Sequence, residues 1–169
     1  MNGIDRTDFK SNIEEALHAA KKQPERLNAS LELICENCTV SPQVTIDYMY
    51  NVKELHKNPY DWLHGGIISA LMDYAVGIGA VAYTGHLVAT TDISVSFIKA
   101  MTAEKFSVNV EFTHIGGSRL NGIGRMTDFE TKELSATAQV GFTILKQSAE
   151  LITITKRSEE RRVGKECRS

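Results

Sequence analysis

Between Ile67 and Tyr83 the chain reads IISALMDYAVGIGAVAY, apolar nearly all round and carrying one charged residue, Asp73. A helix with no polar face has two homes, the inside of a protein core or the inside of a bilayer. This segment is short for a membrane span, contains Gly77 and Gly79, and holds an aspartate whose placement at a bilayer centre costs roughly 2.5–3.5 kcal/mol. The stretches on either side alternate in the manner of half-buried strands. We therefore expect a core helix from about Gly65 to Tyr83, lying in the concave face of a sheet. A carboxylate on such a helix is costly unless it is paired or hydrogen-bonded, which makes Asp73 the first candidate for chemistry.

The rest of the chain supplies that sheet. Thr7 or Asp8 can cap a first helix, in which Phe9, Ile13, Ala16, Leu17 and Ala20 recur at three- and four-residue steps until Pro24 stops it. After a polar connection, QVTIDYMYNV alternates Val44, Ile46, Tyr48 and Tyr50 with Thr45, Asp47, Met49 and Asn51. Beyond the central helix, DISVSFI and KFSVNVEFT are clear strands, RLNGIGRMTDF is a less regular one, and LSATAQVGFTI is the last, with ETKE as the turn before it. The expected order is helix, strand, long helix, then four strands. The fold class is α+β, and at 169 residues a single domain is expected. Residues 1–40 are assigned to the N-terminal helix and its connection, 41–156 to the sheet-and-helix domain, and 157–169 to a tail.

Composition narrows the partners. The net charge is -2 with both signs interspersed, so no basic face points to nucleic acid and a small-molecule ligand is the default. No membrane partner is expected. The polar opening MNGIDRTDFKSNIEEALHAAKK has no basic segment followed by an apolar one, so a cytoplasmic location is expected. Cys35 and Cys38, in CENC, could form a redox pair or half a zinc site. Zinc would need two further ligands at sensible spacing, and a thioredoxin-type pair belongs at a strand-to-helix turn rather than before an alternating strand, so reduced structural thiols are preferred and no metal is assigned. The tail RSEERRVGKECRS lacks apolar periodicity and resembles the in-frame translation of a common sequencing-adapter read. It is set aside as a probable non-native segment.

The central helix opens on His64-Gly65-Gly66. A helix start without Cβ shielding exposes backbone N–H groups at the positive end of the dipole, where they can hold a phosphate or a developing oxyanion. Asn58, His64, Gly65, Gly66 and Asp73, with HGGIISALMD and then VATTDISVSFIKAM, resemble the PaaI-like branch of the hotdog-fold acyl-CoA thioesterases. In that family an asparagine six residues before the His, the His-Gly-Gly, and an acid nine residues after the His form the site, and all three spacings are present. The resemblance spans about Gln43 to Leu145. Where the family often has a glycine three residues before the His, this chain has Asp61.

The resemblance implies a hotdog fold, an antiparallel sheet wrapped around the long helix. It implies acyl-CoA hydrolysis to free acid and CoA, with no cofactor beyond the substrate's own CoA. Asp73 would activate water or act as the nucleophile, Gly65 N–H and Asn58 would polarise the thioester carbonyl, His64 would orient the asparagine and the helix start, and Thr90 would position water. Gly66 is a candidate substrate contact, Lys99, Gly117, Ser118 and Arg119 could meet the phosphates of CoA, and residues of the helix and sheet such as Met72, Tyr74 and Val76 would line the acyl pocket. A homo-oligomer is implied, a dimer or a tetramer of two dimers. Two rivals stay open. A hydratase or dehydratase on the same fold would pair aspartate with histidine differently, and a non-enzymatic acyl-CoA-binding module would more naturally lack the acid.

Overall fold

The structure is a computed structural model that describes residues 6–149. A 3-10 turn, Arg6–Asp8, leads into helix α1, Phe9–Lys21, followed by the short helix α2, Leu27–Ser30, and strands β1, Leu33–Thr39, and β2, Thr45–Asn51. A second 3-10 turn, Glu54–His56, precedes the long helix α3, Gly65–Thr84. Strands β3, His86–Phe97, β4, Lys105–Ile115, β5, Arg119–Asp128, and β6, Leu134–Ser148, complete the chain. All neighbouring pairs are antiparallel and the sheet order is β1-β2-β4-β5-β6-β3. This is the expected α+β hotdog arrangement, with α3 against one face of the sheet. The tail 157–169 lies outside the described residues.

Helix α3 seats close to the sheet because β5 presents glycine to it. A Cβ at Gly124 would stand 2.7 Å from Met72 Sδ, and one at Gly122 would stand 2.7 Å from Val76 Cγ1. Leu71, Met72, Ala75 and Val76 are consequently sealed from solvent. Met72 and Val76 pack against the sheet, and Tyr74 is buried with them. The helix is long and apolar enough to cross a bilayer by composition, yet half of its apolar window is buried within the protein. It ends as helices commonly do, at Gly85 in the left-handed conformation with φ 71°, its N–H donating to Val81 O at 2.8 Å.

The N-terminal elements join the same core. α1 buries Phe9, Ile13 and Leu17, as its periodicity predicts, and Phe9 meets Tyr83 of α3 edge to face, with ring centroids 5.9 Å apart. The supposed polar connection before residue 41 contains α2 and β1, and β1 pairs with β2 at the sheet edge. A bulge between Cys35 and Asn37 breaks the strand's alternation. The cysteines therefore lie inside a strand rather than ahead of one, with Cys35 buried and Cys38 partly buried.

At the opposite edge, β3 begins at His86, earlier than its regular pattern suggests. Its residues Ile93, Val95 and Phe97 pair with Val140, Ala138 and Ala136 of β6, all three of which are buried. Ile93 and Phe97 nevertheless remain 40% and 55% exposed, because nothing in the single chain covers this edge.

Candidate active site

The start of α3 is carried by a small hairpin. His64 N–H donates to His56 O at 2.9 Å and Asn58 N–H donates to Trp62 O at 2.7 Å, so residues 56–64 fold back on themselves. Asn58 holds the tip, its Oδ1 accepting from the backbone N–H of Tyr60 at 2.9 Å and of Trp62 at 3.1 Å. Its amide nitrogen Nδ2 is left to donate elsewhere. Asp61 sits at φ 65°, the left-handed region that favours glycine. A short polar side chain tolerates that conformation, and Asp61 also meets Lys57 at 3.3 Å, alongside Glu54 at 3.0 Å and Glu104 at 3.3 Å. The departure from the family's glycine thus keeps the backbone path.

His64 caps the helix: its Nδ1 accepts from Gly66 N–H at 2.9 Å. This engages the Gly66 N–H within the cap. The Asn58 side chain is held by the backbone of its own loop. Gly65 N–H, at the first helical position, has no carbonyl within the helix to receive it. It faces a cleft of about 310 Å³ bordered by Trp62, Gly65, Ile68, Phe97, Lys99 and Met101. A depression of about 360 Å³ lies on the outer sheet face, among Ser94, Ser96, Arg125, Thr137 and Gln139. The smaller cleft is the better candidate because it adjoins the free helix-start donor.

Asp73 lies two turns further along α3, on the side facing β3. Its Oδ1 accepts from Thr90 Oγ1 at 2.8 Å. Partial burial raises its pKa above the ordinary 3.8, and the Thr90 hydrogen bond pulls it back down to a lesser extent. No basic side chain among the described residues pairs with it. A carboxylate with one hydroxyl partner and no cation retains lone pairs for a water proton. The structure thus brings Asp73 and Thr90 together, and separately brings Asn58, His64, Gly65 and Gly66 together. The two groups do not meet in one chain: nine residues of helix separate His64 from Asp73 by about 13 Å along the axis and roughly half a turn around it.

The remaining expected contacts are dispersed. Lys99 stands at the rim of the cleft, with its ammonium 2.7 Å from Glu133. Gly117, Ser118 and Arg119 belong to the β4–β5 turn, in which Gly116 N–H donates to Arg119 O at 2.8 Å and Ser118 O accepts from Ile144 N–H at 2.9 Å. Arg119 pairs with Thr143, one register step from the Leu120–Phe142–Thr90 row. That places the turn at the Asp73 end of the sheet, away from the cleft. Sequence reasoning passed over Trp62 and Phe97, which border the cleft. In the sequence Phe97 is simply part of the DISVSFI strand, while in the fold its ring stands 3.5 Å from where a Cβ on Gly65 would be.

Residues 60–134 match the Thioesterase superfamily model. A search of curated protein sequences finds no match. Among solved structures, a thioesterase-superfamily protein studied by structural genomics aligns with a TM-score of 0.67 at 22% identity, covering 80% of this chain and 99% of that one. The PaaI protein from the phenylacetic acid degradation operon of E. coli aligns with a TM-score of 0.67 at 12% identity, covering 83% and 99%. A Streptococcus mutans protein solved with acetyl CoA bound aligns with a TM-score of 0.61 at 18% identity, covering 69% and 90%. At these identities the three structures speak to the fold.

Proposed function

We propose that this PaaI-like hotdog chain, with its thioesterase-superfamily match over residues 60–134, is an acyl-CoA thioesterase. The observation that carries the reading is Asp73, a partly buried, cation-free carboxylate held by Thr90 on an otherwise apolar helix. In the proposed reaction Asp73 takes a proton from water as the oxygen attacks the thioester carbon. The carbonyl electrons move onto oxygen, which receives hydrogen bonds from Gly65 N–H and Asn58 Nδ2. Collapse of the tetrahedral intermediate breaks the carbon–sulfur bond, and the proton returns from Asp73 to the departing CoA thiolate. The neighbour solved with acetyl CoA supports a CoA thioester as the substrate class.

The site is completed by a second copy of the chain. Edge strand β3 leaves Ile93 and Phe97 exposed beside α3, and a long, apolar, unpaired strand edge is ordinarily covered. A two-fold dimer across this edge would set the helix start of one protomer, with Gly65 and Asn58, against Asp73 and Thr90 of its partner, giving two equivalent sites. Free-thiol release over a panel of acyl-CoAs tests the reaction, with loss of an enoyl chromophore as the control for hydration. Release of CoA from at least one acyl-CoA is expected. Chromophore loss without thiol release would instead identify a hydratase.

A further inference from the structure

His56 is completely buried, a position that an ionisable side chain holds at little cost only when its ring nitrogens are satisfied. Both are. Nδ1 lies 2.5 Å from Tyr50 Oη of β2, and Nε2 lies 3.1 Å from Ser30 Oγ of α2. The protons can be placed by counting donors. Ser30 has a single hydroxyl proton, and it goes to Leu27 O at 2.7 Å, so Ser30 Oγ must accept from His56. Nε2 therefore carries the hydrogen, and bare Nδ1 accepts from the Tyr50 hydroxyl. The chain of donors runs from Tyr50 through His56 and Ser30 to Leu27, each with its acceptor filled. Burial, and secondarily the Lys53 ammonium, push the imidazole pKa below its ordinary value and keep the ring neutral; Lys53 is itself 2.9 Å from Glu32.

The backbone of the same residue closes the site hairpin. His56 O receives the His64 N–H, the base pair of the hairpin that carries Asn58 on one arm and leads to Gly65 on the other. We propose that His56 is a positioning residue, a neutral Nε2–H imidazole that ties α2 and β2 to the hairpin and thereby fixes the two carbonyl-polarising donors, Asn58 Nδ2 and Gly65 N–H. The reaction it serves rests on the thioesterase reading; the positional claim does not. No direct contact of His56 with substrate is involved, and its effect passes through the backbone of residues 56–64.

The test uses the full-length protein. In the imidazole nitrogen spectrum, the signals lost in His56→Asn should report a protonated Nε2 and a bare Nδ1 at neutral pH. Tyr50→Phe removes the hydroxyl donor while keeping the ring, and it should shift the Asn58 side-chain and Gly65 backbone amide signals while leaving those of the Gly116–Arg119 turn in place. It should also lower kcat roughly tenfold, as small misplacements of reacting groups do, with little change in KM. In an Asn58→Asp background, which retains the Oδ1 acceptor and removes the donor, the same substitution should lower kcat less, because one of the two donors it positions is already gone. If Tyr50→Phe does not fold, His56→Asn, which can still accept from Tyr50, takes its place in the same measurements. Unmoved Asn58 and Gly65 signals in a folded variant, the opposite tautomer, or equal losses of kcat in both backgrounds would overturn the proposal. If the wild-type protein hydrolyses no acyl-CoA, the thioesterase reading fails, while the amide and imidazole signals still decide the role of His56.

Discussion

Asp73 carries two opposing demands that one substitution separates. Its raised pKa means that the folded chain holds the carboxyl proton more tightly than an unfolded chain does. The stability linked to that proton is full below the ordinary pKa of 3.8 and is lost as pH rises through the higher folded value. At neutral pH the ionised group is therefore a cost to folding, and in the proposed reaction it is the form that takes a proton from water. Asp73→Asn should lower turnover at least about a hundredfold, the lower range for loss of a general base, without lowering the melting temperature at pH 7. The acid limb of kcat/KM in the wild type should lie above the ordinary aspartate value of 3.8. Near-normal turnover, or a limb at or below that value, would remove Asp73 from the base role. Asp61 makes a separate point about backbone. A β-branched residue at φ 65° should destabilise by about 1–2 kcal/mol, whereas Asp61→Gly should cost less, and denaturant unfolding of Asp61→Val beside Asp61→Gly measures the difference.

Among the elements, β5 shows why some strands were harder to read than others. Its inward positions run Leu120, Gly122, Gly124, Met126, so the apolar alternation that marks β4 is replaced by glycine at the two places where α3 comes closest. Gly122→Ala would press a methyl to 2.7 Å from Val76 Cγ1 and 3.4 Å from Glu111 O. A destabilisation of about 1–3 kcal/mol is expected. Gly124→Ala meets the flexible end of Met72 and should cost less; equal effects would mean that the helix does not limit the space. The central helix and strands β2, β4 and β6 were legible because one face is wet and the other dry, or because the whole segment is dry. β1 was not, since its bulge puts Glu36 and Asn37 where alternation would place one residue. The site divided along the same line. Asn58, His64, Gly65 and Asp73 stood out as candidates through the family resemblance that their spacing carries, whereas the buried position of His56 and the cleft walls Trp62 and Phe97 depend on which elements the fold brings together. Spacing also left open that His64 would spend Nδ1 on Gly66.

At the scale of the whole molecule, the account stands on geometry that one chain does not complete. Asp73 and the helix-start donor Gly65 N–H lie about 12 Å apart along α3 and roughly a quarter turn around it, and the apolar edge of β3 runs between them. In the proposed dimer a second copy would supply the missing half, so the central claim is that each site takes its base from one protomer and its oxyanion donors from the other. The measurement is complementation. Asp73→Asn and Asn58→Asp proteins, each expected to keep only a small residual activity alone, are dissociated, mixed and reassembled, and heterodimers are quantified by mass spectrometry. Every heterodimer would hold one doubly damaged site and one intact site. Random reassembly should therefore restore about a quarter of wild-type thiol release, whereas heterodimers that form in full and stay silent would contradict the shared site.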